Sequence, residues 1–258
     1  VKYSNGIEDI SVEDGRLTEL VVRGGKPVNH TEEQIAGYVE ALDIINKNAG
    51  NLNIDGDLMK NLHRTIRAGT PDSRGIYKTR DNAIVSTDSD GRRRIVFRPV
   101  SAEDTEECME QLFLAYTEAD SEGYEPLLLI PCVILDYLCI HPFADGNGRT
   151  SRLMTIALLY RHGFDVCRYV SMDGHIAAAR ERYYQSRAES SYGWIENRFT
   201  YFPFIRYFLQ MLYECCTDLD TGFAVADGKK LNKTERVENI LSKSIAPMSK
   251  KQIRMLLP

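Results

Sequence analysis

Residues 141 to 152 read His-Pro-Phe-Ala-Asp-Gly-Asn-Gly-Arg-Thr-Ser-Arg, a set of residue types suited to handling a phosphate chain. His141 is a candidate proton acceptor near neutral pH. Asp145 offers the hard carboxylate oxygen that a magnesium ion takes up. Gly146, Asn147 and Gly148 allow a tight turn whose backbone N–H groups approach an anion closely. Arg149 and Arg152 stand three apart, so on a helix they share a face and can grip one phosphate chain. Each has a plain reading on its own: His-Pro stops helices, Asn-Gly is a common turn, and arginines are often solvated. Gathered in one span between apolar segments, they read as the parts of a nucleotide-phosphate transfer site.

Two helices must hold that span. The apolar run 127–140 predicts a buried helix entering His141, and 151–161 predicts a second one leaving the loop, so that anions meet a helix N-terminus. Pro126 suits the first turn of the entering helix, and Pro131 kinks it if it lies inside. Upstream, Thr31-Glu32-Glu33-Gln34 reads as a capping box before Ile35, Tyr38, Val39, Leu42 and Ile45 at helical spacing. A helix over 56–67 places Leu58, Leu62 and Ile66 on one face, with His63 read as a structural core histidine. Gly75-Ile76-Tyr77, Ala83-Ile84-Val85 and Ile95-Val96-Phe97 are β-like, and Asp88-Ser89-Asp90-Gly91 reads as a hairpin turn followed by Arg92, Arg93 and Arg94. An acidic amphipathic helix is expected over 102–117. Gly163 ends the helix after the loop, Ser171 or Asp173 caps the next, which carries Arg180, Tyr183 and Tyr184, and 203–215 forms a closing helix. Residues 221–230 read as a linker, followed by two short helical stretches.

Composition sets the class. At 258 residues, 43% hydrophobic and 27% charged, the chain has the make-up of an ordinary globular protein with one large domain. A net charge of -5 argues against a general nucleic-acid-binding surface. Cys108, Cys132, Cys139, Cys167, Cys215 and Cys216 form no C-x-x-C pair and suit free thiols in a reducing compartment. The 127–140 run is too short to cross a bilayer and contains Asp136. No signal-peptide pattern opens the chain, the expected location is cytoplasmic, and the sequence reads as part of something longer.

The 141–152 string resembles the signature of the Fic family, His-Pro-Phe-x-Asp/Glu-Gly-Asn-Gly-Arg-x-x-Arg, and matches it at every defined position. The resemblance implies an all-α, Fic-type helical bundle with a small β-hairpin flap and the start of a C-terminal helical, winged-helix-like appendage. It divides the chain into an N-terminal inhibitory segment at 1–30, a catalytic domain at 31–220, and a linker with a truncated module at 221–258. It implies an AMP transferase using ATP and Mg²⁺ to modify a Ser, Thr or Tyr hydroxyl of a target protein. His141 is then the base and Asp145 the metal ligand, with Gly146, Asn147, Gly148, Arg149 and Arg152 on the phosphates. Tyr183, Tyr184 and Asn197 resemble the adenine-binding region. Ile84 and Val85 lie in the flap that holds the target by strand addition. Ser4 and Glu8 match a Ser/Thr-x-x-x-Glu-Gly/Asn inhibitory helix, with Asp9 where Gly or Asn is expected, so Glu8 is expected to pair with Arg152. Other readings stay open at this point: removal of AMP by the same site, transfer of another phosphate-containing group, or a DNA-associated nucleotide-sensing regulator. A homodimer is one arrangement consistent with these readings, and DNA is a partner only if the C-terminal module is complete.

Overall fold

The computed structural model describes residues 1–70, 75–87 and 91–226, which form ten α-helices and one two-stranded antiparallel sheet. In chain order these are α1 (Lys2–Ile7), α2 (Asp14–Val22), α3 (His30–Lys47), α4 (Gly56–Ile66), β1 (Ile84–Thr87), β2 (Arg93–Phe97), α5 (Thr105–Ser121) and α6 (Pro126–Ile140). There follow α7 (Asn147–Arg161), a short 3₁₀ turn (Asp165–Arg168), α8 (Met172–Ala178), α9 (Arg180–Ser191) and α10 (Phe202–Ala226).

The expected all-α bundle with a hairpin is what forms. Helix α6 is apolar on nearly every face, and such a helix is stable only when surrounded. It packs against α5, α7, α9 and α10. Pro126 occupies its first turn, and Pro131 lies inside it, withholding the N–H that the Leu127 carbonyl would otherwise receive. Helix α7 is buried along almost its whole length, from Arg149 to Tyr160, and packs on α4 and α6. The α6–α7 pair is therefore the centre of the molecule, and residues 141–146 join its two helices. No helix among the described residues is long and apolar enough to cross a membrane. The six cysteines carry no disulfide, and Cys139 and Cys215 are buried.

Several boundaries differ from the sequence expectation. Helix α7 starts at Asn147 rather than 151, because Gly146 adopts φ 83 and its carbonyl accepts both the backbone N–H and the hydroxyl of Thr150 at 3.0 Å. Only glycine takes that backbone conformation without strain. Asn147 and Gly148 thus belong to the first helical turn, not to a loop before it. Helix α3 is capped by the Asn29 side chain, which accepts from the Glu32 N–H, rather than by Thr31. The Gln34 side chain closes no box on Thr31 but accepts from Arg149, and the Glu32 carboxylate pairs with Arg16 of α2 at 2.6 Å while accepting from the Val28 N–H at 2.9 Å. Gly75-Ile76-Tyr77 forms no strand. The expected helix bearing Arg180, Tyr183 and Tyr184 is split, with Ser171 capping α8 and α9 starting afresh at Arg180. Helix α10 runs through Ala226, into the stretch read as a linker. The hairpin turn at 88–90 and the winged-helix-like segment at 227–258 lie outside the described residues.

At the other end, α1 packs on α7 and α8. Its C-cap is Glu8, and Asp9 follows at φ 59. The departure from Gly or Asn at position 9 thus falls on a left-handed residue, a conformation that aspartate tolerates better than most.

Candidate active site

His141 ends α6 in a left-handed conformation, φ 52. Its Nδ1 lies 3.3 Å from the Leu138 carbonyl, a geometry that suits an N–H on Nδ1 and leaves Nε2 as the acceptor. Burial, and then the nearby Arg187 guanidinium, push its pKa down to about 4. The imidazole is therefore neutral at pH 7, the state a proton acceptor needs. Phe143 is fully buried and stacked on the His63 ring at 3.8 Å. His63 Nε2 lies 2.9 Å from the Asp145 carbonyl, and burial lowers its pKa to about 4. It is the structural histidine expected, holding the loop from beneath.

The Asp145 carboxylate is mostly exposed. One oxygen accepts from the Gly146 N–H at 2.7 Å, and the other is paired with Arg67 at 2.6 Å. Among the described residues no group of three or more His, Cys, Asp or Glu side chains converges to form a protein-only metal cage. A single carboxylate beside a phosphate site is the donor set magnesium commonly uses, with phosphate oxygens and water filling the rest. The residues present fit that ion.

The Asn147 side chain corrects the expectation that its amide binds the ligand. Its Oδ1 accepts from the Phe143 N–H at 2.9 Å, and its Nδ2 donates to the Phe143 carbonyl at 2.7 Å. Both ends of the amide are engaged in closing the loop, which leaves the backbone N–H as the donor set by the helix turn for an anion.

Of the two arginines, Arg152 makes the expected pair with Glu8, and Arg149 departs from the expected phosphate-facing position. Arg149 and Arg152 do not share a ligand-facing position; neither lines the cleft described below. Arg149 is 1% exposed, donates through Nη2 to Gln34 Oε1 at 2.9 Å, and has no hydrogen-bond partner for Nε or Nη1. Burial lowers its pKa, a cost that the Asp145 and Glu8 carboxylates offset only in part and that a bound anion would relieve further. Arg152 is held by α1: Nε donates to Ser4 Oγ at 2.8 Å, Nη2 to the Ser4 carbonyl at 2.9 Å and to Glu8 Oε1 at 3.0 Å, with Asp173 3.6 Å away. Burial alone would weaken its charge, but Glu8 and Asp173 outweigh burial and raise its pKa. The same Glu8 oxygen covers the first turn of α7, so closely that a Cβ added at Gly148 would collide with it. A carboxylate occupies the anion cradle.

These groups open onto a cleft of about 920 Å³ whose floor includes His141, Asp145, Gly146 and Gly148, with Glu8 at one side. Ile84 and Val85 of β1 line another wall, as expected for the flap, and β1 pairs with β2 in the register Ile84↔Phe97 and Val85↔Ile95. Of the expected adenine-binding residues, the structure brings only Tyr184 to the cleft. Tyr183 is buried against Phe204 and Tyr207, the core position that helical spacing also allowed. Asn197 sits at φ 53 in the α9–α10 connection, just past the lining residue Glu196, and does not itself line the cleft.

Sequence reasoning missed several residues. Asp136 of α6 accepts hydrogen bonds from Trp194 Nε1 at 2.7 Å and Tyr201 Oη at 2.8 Å, tying the 192–196 wall to the central helix. A lone carboxylate in an apolar helix was a visible signal for it. Gln34, Arg67, Lys78, Asn82 and Arg187 carried no such signal, because their partners lie far away in the sequence.

Comparison with known proteins agrees with this geometry. The Fic/DOC family model matches residues 53–159. The chain is 28% identical over 194 residues to "Protein adenylyltransferase Fic" of Nematostella vectensis, covering 74% of this chain and 40% of that protein. It is 24% identical over 162 residues to "Protein adenylyltransferase and cysteine protease IbpA" of Histophilus somni, covering 61% of this chain and 4% of that protein. The chain thus spans less than half the length of either relative. A Fic domain containing signaling protein from Bacteroides thetaiotaomicron has the same fold, with a TM-score of 0.68 at 24% identity over 88% of this chain and 85% of that one.

Proposed function

Since this chain carries a Fic/DOC-family domain at residues 53–159, we propose that it is a protein adenylyltransferase, moving AMP from ATP to a Ser, Thr or Tyr hydroxyl of a target protein. The observation that carries this reading is the Glu8 carboxylate seated over Gly148 and bonded to Arg152, because it marks the N-terminal turn of α7 as a place where an anion is already bound.

His141 takes the proton from the attacking hydroxyl. The new bond joins that oxygen to the α-phosphorus, the bond from the α-phosphorus to the bridging oxygen breaks, and pyrophosphate departs. Transfer of this kind asks a protein chiefly to position the reactants and stabilise spreading negative charge. The backbone N–H groups at the start of α7 supply that charge stabilisation; Arg152, once released from Glu8, meets the terminal phosphates, and Arg149, buried on Gln34, adds its positive field from beneath the turn. Asp145 would hold Mg²⁺, whose contribution is to neutralise phosphate charge. Tyr184 offers a ring for the adenine, and the edge at Ile84 and Val85 takes an extended target segment by strand addition.

Glu8 is the inhibitory element of the same proposal. It and a γ-phosphate compete for Arg152 and for the space over Gly148, so ATP settles productively only when α1 withdraws. The test is intact-protein mass spectrometry after incubation with ATP and Mg²⁺: the Glu8→Gly protein gains the mass of AMP, and the Glu8→Gly, His141→Ala protein does not. No adduct in either, with or without added target proteins, would remove the reading.

Glu8 also lines the same cleft as His141, which favours a second reading in which it orients water for AMP removal. Release of AMP from a modified target in the absence of ATP would point to that direction.

A further inference from the structure

We propose that Lys78 and Asn82, which precede the flap, are positioning residues that hold the His141 backbone in its working conformation. This rests on the reading of His141 as the base.

The need for a clamp follows from the backbone. His141 is a non-glycine residue at φ 52, a left-handed conformation that is strained for a side chain with a Cβ and persists only where the surroundings enforce it. It also ends α6, whose last carbonyls lack helical partners. The segment 78–82 supplies what is missing. Lys78 Nζ donates to the Ile140 carbonyl at 3.0 Å, and the Lys78 backbone N–H to the Pro142 carbonyl at 2.8 Å. Asn82 Nδ2 donates to the His141 carbonyl at 3.3 Å and the Phe143 carbonyl at 3.0 Å. Four consecutive carbonyls, from Ile140 to Phe143, are therefore gripped by two residues of one short segment.

The grip is itself braced. Lys78 Nζ also donates to Asn82 Oδ1 at 3.0 Å, which fixes the amide so that its N–H₂ end faces the loop. Lys78 is 5% exposed, and its ammonium sits against the carbonyl end of α6, where the helix dipole favours a cation. Neither residue lines the cleft, so neither touches the ligand. Their effect passes through His141.

The placement joins two parts of the site. Asn82 lies two residues before β1, and Ala83, Ile84 and Val85 line the cleft. The edge that receives the target and the clamp that sets the base are one continuous piece of chain.

The experiment uses the Glu8→Gly protein and adds Asn82→Ala or Lys78→Met. Three quantities are measured: the kcat of AMP self-labelling, the KM for ATP, and amide hydrogen exchange across 141–145. A displacement of about 1 Å typically costs ~10²-fold in rate. The expectation is a fall in kcat of roughly 10- to 100-fold, an ATP KM within about twofold of the parent, and faster exchange at 141–145 with α3, α4 and α7 unchanged. Unchanged kcat and exchange would overturn the proposal. So would a parallel loss of ATP affinity and protection throughout the bundle, which marks a general structural role. If Asn82→Ala does not fold, Asn82→Ser, which keeps one shorter hydrogen-bonding group, gives the same readouts. If the Glu8→Gly parent makes no AMP adduct, the transferase reading fails, and the exchange measurement alone decides whether the clamp holds the loop.

Discussion

Glu8 and Arg152 lie 144 residues apart and meet at 3.0 Å above the first turn of α7. The contact is partly buried, with the arginine side chain 3% and the glutamate 33% exposed, so solvent screens it less than a surface pair. Removing the carboxylate leaves the guanidinium with Ser4 and Asp173 and uncovers Gly148. Glu8→Gly should therefore raise the initial rate of AMP self-labelling by on the order of 10- to 100-fold, the usual span of coupling between two mutually exclusive ligands. His141→Ala in that background should lower it by ~10²–10⁴-fold, the usual contribution of a general base. Time courses with radiolabelled ATP at saturating concentration measure both; a rate unmoved by the Glu8 change would remove the inhibitory role.

Two glycines predict opposite outcomes. Gly6 lies within α1 and faces open space where a methyl group would go, so Gly6→Ala should firm the helix by up to about 1 kcal/mol and lower basal labelling. At Gly37 a methyl group would collide with the Thr65 carbonyl where α3 crosses α4. Gly37→Ala should destabilise the fold by roughly 1–3 kcal/mol, seen as a lower Tm in calorimetry.

Arg67 shields the carboxylate assigned to the metal. Because Asp145 is 64% exposed, their pair is worth no more than about 1 kcal/mol. Arg67→Gln should tighten Mn²⁺ binding in the presence of a non-hydrolysable ATP analogue by roughly two- to fivefold, followed by electron paramagnetic resonance. Weaker binding would instead give Arg67 a supporting role toward the metal–phosphate complex.

Acid should destabilise the chain through His63. Its pKa falls from 6.5 to about 4 in the folded protein because burial penalises the imidazolium. A depressed folded value means the stabilising contribution is complete above about pH 6.5 and is lost as pH falls through 4. The loss amounts to about 3 kcal/mol for this group. Urea unfolding at pH 7, 5.5 and 4 should show a steeper fall for the parent than for His63→Gln, even though the variant starts lower without its stack on Phe143.

Trp194 is the single tryptophan and lines the cleft, which makes it a reporter. Its indole N–H donates to the half-buried Asp136 carboxylate, whose pKa is raised by its partial desolvation. Asp136→Leu removes the acceptor for both Trp194 and Tyr201. We expect a loss of about 1–3 kcal/mol and red-shifted emission, with ATP-dependent quenching reduced as the 192–196 wall loosens. Unaltered emission would show that the wall is held by other contacts.

The residues of the 141–152 span were legible in the sequence because their chemistry is local: a histidine, a carboxylate, turn glycines and arginines adjacent in the chain. The bundle was legible too, since helical periodicity and an all-apolar segment at 127–140 require burial whatever the partners. Glu8 was marked only by the resemblance of Ser4 and Glu8 to the family's inhibitory helix. What the sequence did not specify was direction. Arg152 makes the pair with Glu8 that the resemblance implied, but Arg149, three residues earlier and expected to face the same ligand, was drawn to Gln34 of a distant helix. Tyr183 and Tyr184, adjacent in sequence, were separated into core and cleft by the helix turn between them. The Asn147 amide turned inward because the Phe143 backbone needed both its ends. Hydrogen bonds between residues 60 or more positions apart, such as that from Lys78 to Ile140, leave no pattern in a linear chain, and only the packed tertiary structure decides which of them form.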